Sequence, residues 1–204
     1  MKIAILGGSF DPPHLGHILI AHQVIEFADM DQVWFMPNYS TGAQHAVFQK
    51  KLSSAQDRLT MSKLLEDGKI KISDFEISEN KRSITIDTLQ ALSNKYQEHT
   101  FYWIIGSDKL KTFYLWDDWQ KIITDYRLII FPREHMLWHL ENRVKEALQL
   151  QKIPSNVIIL QNKELILTNL SSTIIRERER KGLPIDFLVE PAIKKYIKEY
   201  KLYK

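Results

Sequence analysis

The chain contains no cysteine in 204 residues. Disulfides, thiolate metal sites and cysteine nucleophiles are therefore all excluded. No apolar run approaches the roughly 20 residues that a membrane-spanning helix needs. The N-terminus shows no signal pattern: one lysine, a few apolar residues, then glycines. These absences predict a soluble, cytoplasmic protein with no membrane partner. Net charge is also small, at +3. Residues 171–204 hold nine Lys/Arg against five Asp/Glu, which reads as a solvated helical face. No nucleic-acid partner is expected, although a small anionic ligand would suit a few placed cations.

What is present fits one α/β domain spanning residues 1–204. Hydrophobic content is 44% and charged content 26%, ordinary for a globular chain. There is no repeat, low-complexity segment or interdomain linker. Strand-like runs are predicted at Lys2–Leu6, Gln32–Met36, Ile70–Ile72, Phe101–Ile105, Tyr126–Phe131 and Val157–Leu160. Helices are predicted at Leu15–Phe27, Ser53–Leu65, Ile84–Tyr96, Leu140–Leu150, Ser171–Lys181 and Pro191–Tyr200. Leu15, Leu19, His22 and Glu26 share one stripe of the first helix. Ser54 with Asp57 reads as a cap with an acidic residue three later. The alternation predicts a Rossmann-like open parallel sheet with helices on both faces and a small C-terminal helical part. Loops 38–51 and 132–139 are the places to hang substrate-specific structure.

Residues 7–17 read GGSFDPPHLGH, directly after the first strand. Glycines at 7 and 8 let a ligand approach the backbone closely. Pro12 and Pro13 stiffen the loop. A helix starting near Leu15 puts His14 and His17 one turn apart at its positive end. That arrangement suits a phosphate. A tight turn and two surface histidines, or half of a zinc site, are the alternatives. Asn169-Leu170-Ser171-Ser172-Thr173-Ile174-Ile175-Arg176 places hydroxyls at a helix start with an arginine one turn inside. It is either an anion site or a plain cap with a surface arginine. Between the two strings, Gly106-Ser107-Asp108 follows a strand, and Trp116 comes eight residues after Asp108. An aspartate there can accept from ribose hydroxyls or cap a helix; a tryptophan can stack on a base or fill the core. Strings after Leu6, Met36 and Ile105 all follow strand ends, where open parallel sheets bind ligands.

The first string closely resembles the [ST]FDPxHxGH signature of the nucleotidylyltransferase superfamily. The string at 170–176 is similar to its ISSTxIR signature, with Leu170 in place of isoleucine. The order is that of the superfamily. Ile104-Ile105-Gly106-Ser107-Asp108 with Trp116 resembles the IIGxD string of bacterial nicotinate mononucleotide adenylyltransferases. Arg82-Ser83-Ile84-Thr85-Ile86-Asp87-Thr88-Leu89 is similar to their SYTxDTL segment, with isoleucine where tyrosine is usual. The closing Phe187-Leu188-Val189-Glu190-Pro191 and Leu202-Tyr203 also match, and there they read as packing. After Pro37-Asn38 this chain departs from the family's Pro-Pro-His-Lys loop; only Lys50 and Lys51 come later.

The resemblance implies a nucleotidylyltransferase fold and transfer of adenylate from ATP to nicotinate mononucleotide. It implies His14 and His17 as catalytic contacts to the reacting phosphates. Gly8, Ser9, Phe10, Gly106, Asp108, Ser172, Thr173 and Arg176 would bind ATP. Thr85 and Trp116 would bind the acceptor. Mg²⁺ would ride on the phosphates, with no protein metal site. Other acceptors, nicotinamide mononucleotide or phosphopantetheine, stay open. So does a non-catalytic nucleotide-binding module on the same fold. The sequence leaves the oligomeric state open, a homo-oligomer included.

Overall fold

The computed structural model describes residues 1–39, 52–80, 83–133 and 139–204. Six strands pair in parallel: β1 (Lys2–Gly8), β2 (Gln32–Pro37), β3 (Ile70–Ile72), β4 (Thr100–Gly106), β5 (Arg127–Phe131) and β6 (Val157–Ile159). Their order is β3-β2-β1-β4-β5-β6, the doubly wound arrangement expected from the sequence. Every predicted strand forms, with ends shifted by at most two residues.

The strands are apolar on both sides because both faces are covered. In β1, Ala4 and Leu6 enter one core layer with Val33, Phe35, Ile104 and Ile129. Ile3 and Ile5 enter the other with Met36, Trp103, Ile105 and Ile130. The first layer packs under α1 (Leu15–Phe27) and two late helices, α7 (Ser172–Arg180) and α8 (Pro191–Glu199). The second packs under α4 (Thr85–Lys95), α5 (Trp119–Asp125) and α6 (Leu140–Ala147). Between β2 and α4 lie α2 (Ala55–Lys63) and the single turn α3 (Phe75–Ser78).

Capping follows the sequence. The Ser54 hydroxyl accepts from the Asp57 N–H at 3.0 Å, and Ser171 accepts from the Ile174 N–H at 3.3 Å. Gly182 closes α7 at φ +66°, a left-handed position that suits glycine. Pro191 occupies the first turn of α8.

Two features go beyond what the sequence pattern predicts. The stripe of Leu15, Leu19, His22 and Glu26 faces outward, with His22 and Glu26 exposed; α1 buries Gly16, Ile20, Ala21, Gln23, Val24 and Ile25 instead. The stretch after β4 is a 3₁₀ helix, Ser107–Leu115, that buries Ser107, Leu110 and Phe113. Its buried residues recur every three, the 3₁₀ period, so a 3.6-residue template misses it. Among the described residues, no helix is long and apolar enough to cross a membrane.

The register shows where the sheet opens. β1 pairs with β2 through Gly8 opposite Pro37, and β4 with β5 through Gly106 opposite Phe131. β1 pairs with β4 only as far as Ile5 opposite Trp103. Past that point the two central strands part, at the place where strand order reverses. Trp103 fills the base of the gap. A Cβ on Gly7 would stand 2.6 Å from its Cζ2, so Gly7 makes room for an indole rather than for a ligand. Gly8 is different, since a Cβ there meets Phe10 at an ordinary 3.6 Å.

Gly7→Ala is therefore expected to destabilise the fold by about 1–3 kcal/mol, and Gly8→Ala by less than about 1 kcal/mol. Urea denaturation of both variants checks this; equal midpoints would show that Trp103 does not impose the glycine.

Candidate active site

The loop from Ser9 to His14 leaves β1 at the opening and is fixed from three directions. Arg58 of α2, only 1% exposed, donates to the Ser9 carbonyl at 2.8 Å, to the Ser53 carbonyl at 3.2 Å, to Asn38 Oδ1 at 3.1 Å and to the Tyr39 carbonyl at 3.0 Å. From α7, Arg176 donates to the Asp11 carbonyl at 2.6 Å and Ser172 to the Pro12 carbonyl at 2.8 Å. From the C-terminus, the Tyr203 hydroxyl donates to Asp11 Oδ1 at 2.7 Å. Burial and that carboxylate raise the Tyr203 pKa, so it stays a donor. Tyr203 packs against the core as expected, and it also braces the loop through a polar contact. Arg58 was missed from sequence. Its signal was weak, an arginine beside Leu59, Met61 and Ser62 on the buried side of α2.

The two histidines stand together at the start of α1. Their rings stack with centroids 3.7 Å apart and planes at 24°. The His14 N–H donates to His17 Nδ1 at 3.1 Å. In neutral His17 the proton is therefore on Nε2, which is left to donate elsewhere. Phe10 lies under His17, with centroids 4.7 Å apart. Phe10 is buried, with φ +48°, and its ring seats His17. Two stacked rings one turn apart do not direct their lone pairs at one ion, and the His17 Nδ1 lone pair is already used. The zinc alternative loses its geometry.

Both histidines are held neutral. Burial, then the nearby Arg133 charge, pushes His14 down to about 3. Burial, His14 and Arg133 together hold His17 well below the ordinary range. Buried His14 Nδ1 has no hydrogen-bond partner among the described residues. An unpartnered buried nitrogen at a helix N-terminus is a place for a ligand atom.

Arg133, just past β5, was also missed from sequence. Its N–H donates to Ser107 Oγ at 3.0 Å and its guanidinium to the Leu170 carbonyl at 3.3 Å. Its Nε lies 4.0 Å from Asp108 Oδ1. It thus links the ends of β4 and β5 to the segment before α7. Asp108 remains about one-third exposed beside Lys109, at 3.3 Å. A Cβ on Gly106 would stand 2.4 Å from Asp108 Oδ1, so the glycine leaves room for the carboxylate where it now lies. Thr173 Oγ1 accepts from Arg176 at 3.2 Å.

The two expected acceptor residues sit farther out. Thr85 begins α4 and is half-buried; Trp116 ends the 3₁₀ helix, half-buried against Phe113 at 5.0 Å. Arg82, Lys50, Lys51 and most of loops 38–51 and 132–139 lie outside the described residues. A separate groove of about 730 Å³ runs between Leu15 and α8, past Phe187, Pro191 and Lys194. None of His14, His17, Asp108 or Arg133 lines it.

Comparison with known proteins places this geometry. The cytidylyltransferase-like family matches residues 5–178. A Halalkalibacterium halodurans protein named "Probable nicotinate-nucleotide adenylyltransferase" is 35% identical over 206 residues, covering 100% of this chain and 91% of its own. A Caldicellulosiruptor bescii protein of the same name is 35% identical, with 100% of both chains covered. The chain belongs to the cytidylyltransferase-like family, and within it to the nicotinate-nucleotide adenylyltransferases. Its fold is that of the Plasmodium falciparum nicotinic acid mononucleotide adenylyltransferase solved with NaAD, at TM-score 0.79 and 24% identity over 99% of this chain and 97% of the other. As a nicotinate-nucleotide adenylyltransferase, the chain keeps both family signatures at the mouth of one crevice.

Neutral histidines make the fold acid-sensitive in a defined window. The unfolded chain takes up protons near pH 6.5 and the native His14 only near 3. The stability from keeping it neutral is full above about pH 6.5 and is lost as pH falls toward 3. Wild type should lose up to ~1.4 kcal/mol per pH unit more than His14→Asn across this window. Denaturation midpoints from pH 7.5 to 4.5 measure the difference; parallel curves would refute it.

Proposed function

We propose that this adenylyltransferase joins the adenylyl group of ATP to nicotinate mononucleotide, releasing pyrophosphate and forming nicotinate adenine dinucleotide for NAD biosynthesis. The observation that carries this reading is convergence. His14, His17, Arg133 and the start of α7 meet at the crevice between β1 and β4, in a chain 35% identical over its whole length to proteins of that name.

The chemistry needs no covalent intermediate. An oxygen of the acceptor phosphate bonds to the α-phosphorus of ATP while the bond to the bridging β-oxygen breaks. The electron pair leaves with pyrophosphate. The acceptor phosphate is already an anion, so no base has to activate it. Rate comes from alignment and from charge neutralisation on the reacting phosphates.

His17 Nε2–H and the unpartnered His14 face the α-phosphate, and Arg133 adds the fixed positive charge. Ser172, Thr173 and Arg176, at the N-terminus of α7, hold the β- and γ-phosphates. Gly8 and Ser9 supply backbone beside the phosphates. Gly106 and Asp108 place the adenosine, with the carboxylate accepting from ribose hydroxyls. Thr85 and Trp116 place the acceptor ring.

Among the described residues, no group of three or more His, Cys, Asp or Glu could hold a metal ion. The donors gathered here suit phosphate oxygens rather than a bare cation, so Mg²⁺ fits as a passenger on the triphosphate. It would supply charge neutralisation to the departing pyrophosphate.

Replacing His17 by alanine should lower kcat by about 10²–10³-fold. Loss of its bond to the His14 N–H should cost only about 1 kcal/mol of stability. Pyrophosphate release and a thermal melt read the two effects separately, and near-normal turnover would remove His17 from the reaction. Asp108→Ala should chiefly raise the KM for ATP; an unchanged ATP requirement would refute a ribose contact. In parallel assays, nicotinate mononucleotide should be used at least about tenfold more efficiently than nicotinamide mononucleotide. Mass spectrometry of the product identifies the dinucleotide, and the reverse preference would overturn the acceptor assignment.

A further inference from the structure

Glu76 is buried, 6% exposed, in the one-turn helix after β3. Among the described residues no ion pair accounts for the buried carboxyl, and its contacts go to residues flanking Thr85. The Thr88 hydroxyl donates to Glu76 Oε1 at 2.8 Å, and the Ser83 side chain sits near enough to the same carboxyl to lower its pKa. Ser83 Oγ in turn accepts the Tyr39 N–H at 3.1 Å. The Tyr39 carbonyl accepts from Arg58, which also holds Ser9. A continuous run of polar contacts thus links the phosphate loop to the start of α4. A small cleft opens at this point, lined by Phe75, Glu76, Ser83, Ile84, Asp87 and Thr88.

The local geometry shows why something must hold this turn. Ile84 occupies the N-cap position of α4 and supplies no side-chain cap. A β-branched apolar residue leaves the first turn without its usual anchor. Glu76 replaces that anchor from outside the helix, gripping one residue before the cap and one a turn inside. Burial raises its pKa while the two hydroxyls lower it, as expected for a carboxyl kept to organise hydroxyl donors.

We propose that Glu76 is the positioning residue for the acceptor nucleotide: by gripping Ser83 and Thr88 it fixes the first turn of α4, and with it Thr85. This rests on the reading of Thr85 as an acceptor contact. Glu76 touches no reacting atom, so its removal acts on acceptor recognition rather than on phosphate chemistry.

The conservative variant has a definite expectation. In Glu76→Gln, the amide oxygen can accept from Ser83 while the amide N–H donates to Thr88 Oγ1. The Thr88 proton then turns to the Ile84 carbonyl, already 3.1 Å away. Both hydroxyl contacts keep a partner, so glutamine should restore function where alanine cannot.

The test is steady-state kinetics on the full chain, varying ATP and nicotinate mononucleotide separately. Glu76→Ala should raise the KM for the mononucleotide about tenfold, ~1.4 kcal/mol, with the KM for ATP within about twofold. Glu76→Gln should return it to near the wild-type value. An unchanged acceptor KM, or equal rises in both KM values, would overturn the proposal. If Glu76→Ala melts at the assay temperature, Ser83→Ala replaces it and must shift the acceptor KM alone; no shift there is equally fatal. If wild type itself makes no dinucleotide from this acceptor, the functional reading fails instead. Amide exchange over residues 83–95 then decides the positioning claim: faster exchange in Glu76→Ala with recovery in Glu76→Gln supports it, and unchanged exchange overturns it.

Discussion

The site is organised by one buried guanidinium. Arg58 reaches from α2 to four acceptors on three separate segments: the loop after β1, the end of β2, and the residues before α2 itself. All four are neutral, and burial lowers the arginine's pKa while the nearby Asp11 charge opposes that. Asp11 is fully buried too, bonded by Tyr203 and by the Ser53 N–H at 3.2 Å. Removing one partner of such an arrangement leaves an uncompensated charge, which costs more than the pair contributes. Its value is specification. A planar donor with fixed directions imposes the position of the loop after β1 relative to the end of β2 and the start of α2.

The electrostatics of the crevice follow from that frame. Arg133, Arg176 and two helix N-termini give the region positive potential without requiring charged histidines. Burial, more than the nearby Arg133 charge, keeps both imidazoles neutral. Neutral imidazoles still donate, and a donor with no charge of its own does not have to be stripped of a counter-ion when a nucleotide arrives. Bound phosphates would shift the balance the other way, favouring the protonated form. Under the proposed function, the proton content of the site would depend on occupancy, and the pH behaviour of empty and loaded protein would differ.

Much of this was legible in the sequence, for a physical reason. Short runs such as Ile3 to Leu6 and Phe101 to Ile105 are apolar on both faces, and only a doubly covered parallel sheet needs that. Ser54, Ser171, Gly182 and Pro191 act locally, so their neighbours in sequence reveal their roles. Residues acting at a distance were not legible. Arg58 and Ser9 are 49 positions apart, and Asp11 and Tyr203 are 192 apart. Nothing near Glu76 in sequence announces that its carboxyl turns inward. Gly7 was read as room for a ligand because a sequence cannot show that Trp103, on the adjacent strand, already fills the space.

The placement of buried polarity separates what holds the fold from what shapes the site. Among the described residues, the buried polar side chains are Asp11, His14, Gln23, Arg58, Ser62, Glu76, Thr88, Ser107 and Arg176. Gln23 serves the scaffold, tying α1 to the Ile166 backbone. Ser62 bonds back to the Arg58 carbonyl at 2.7 Å. Each of the others contacts a segment that begins where a strand ends. The two apolar layers contain none of them; hydrophobic burial supplies stability and, apart from Phe10 beneath His17, leaves the mouth of the crevice to other contacts. The mouth is instead fixed by directional bonds, and directional bonds are what alignment of two phosphates requires. Apolar packing tolerates small shifts when a core residue changes; a hydrogen-bonded loop between two arginines has few alternative geometries.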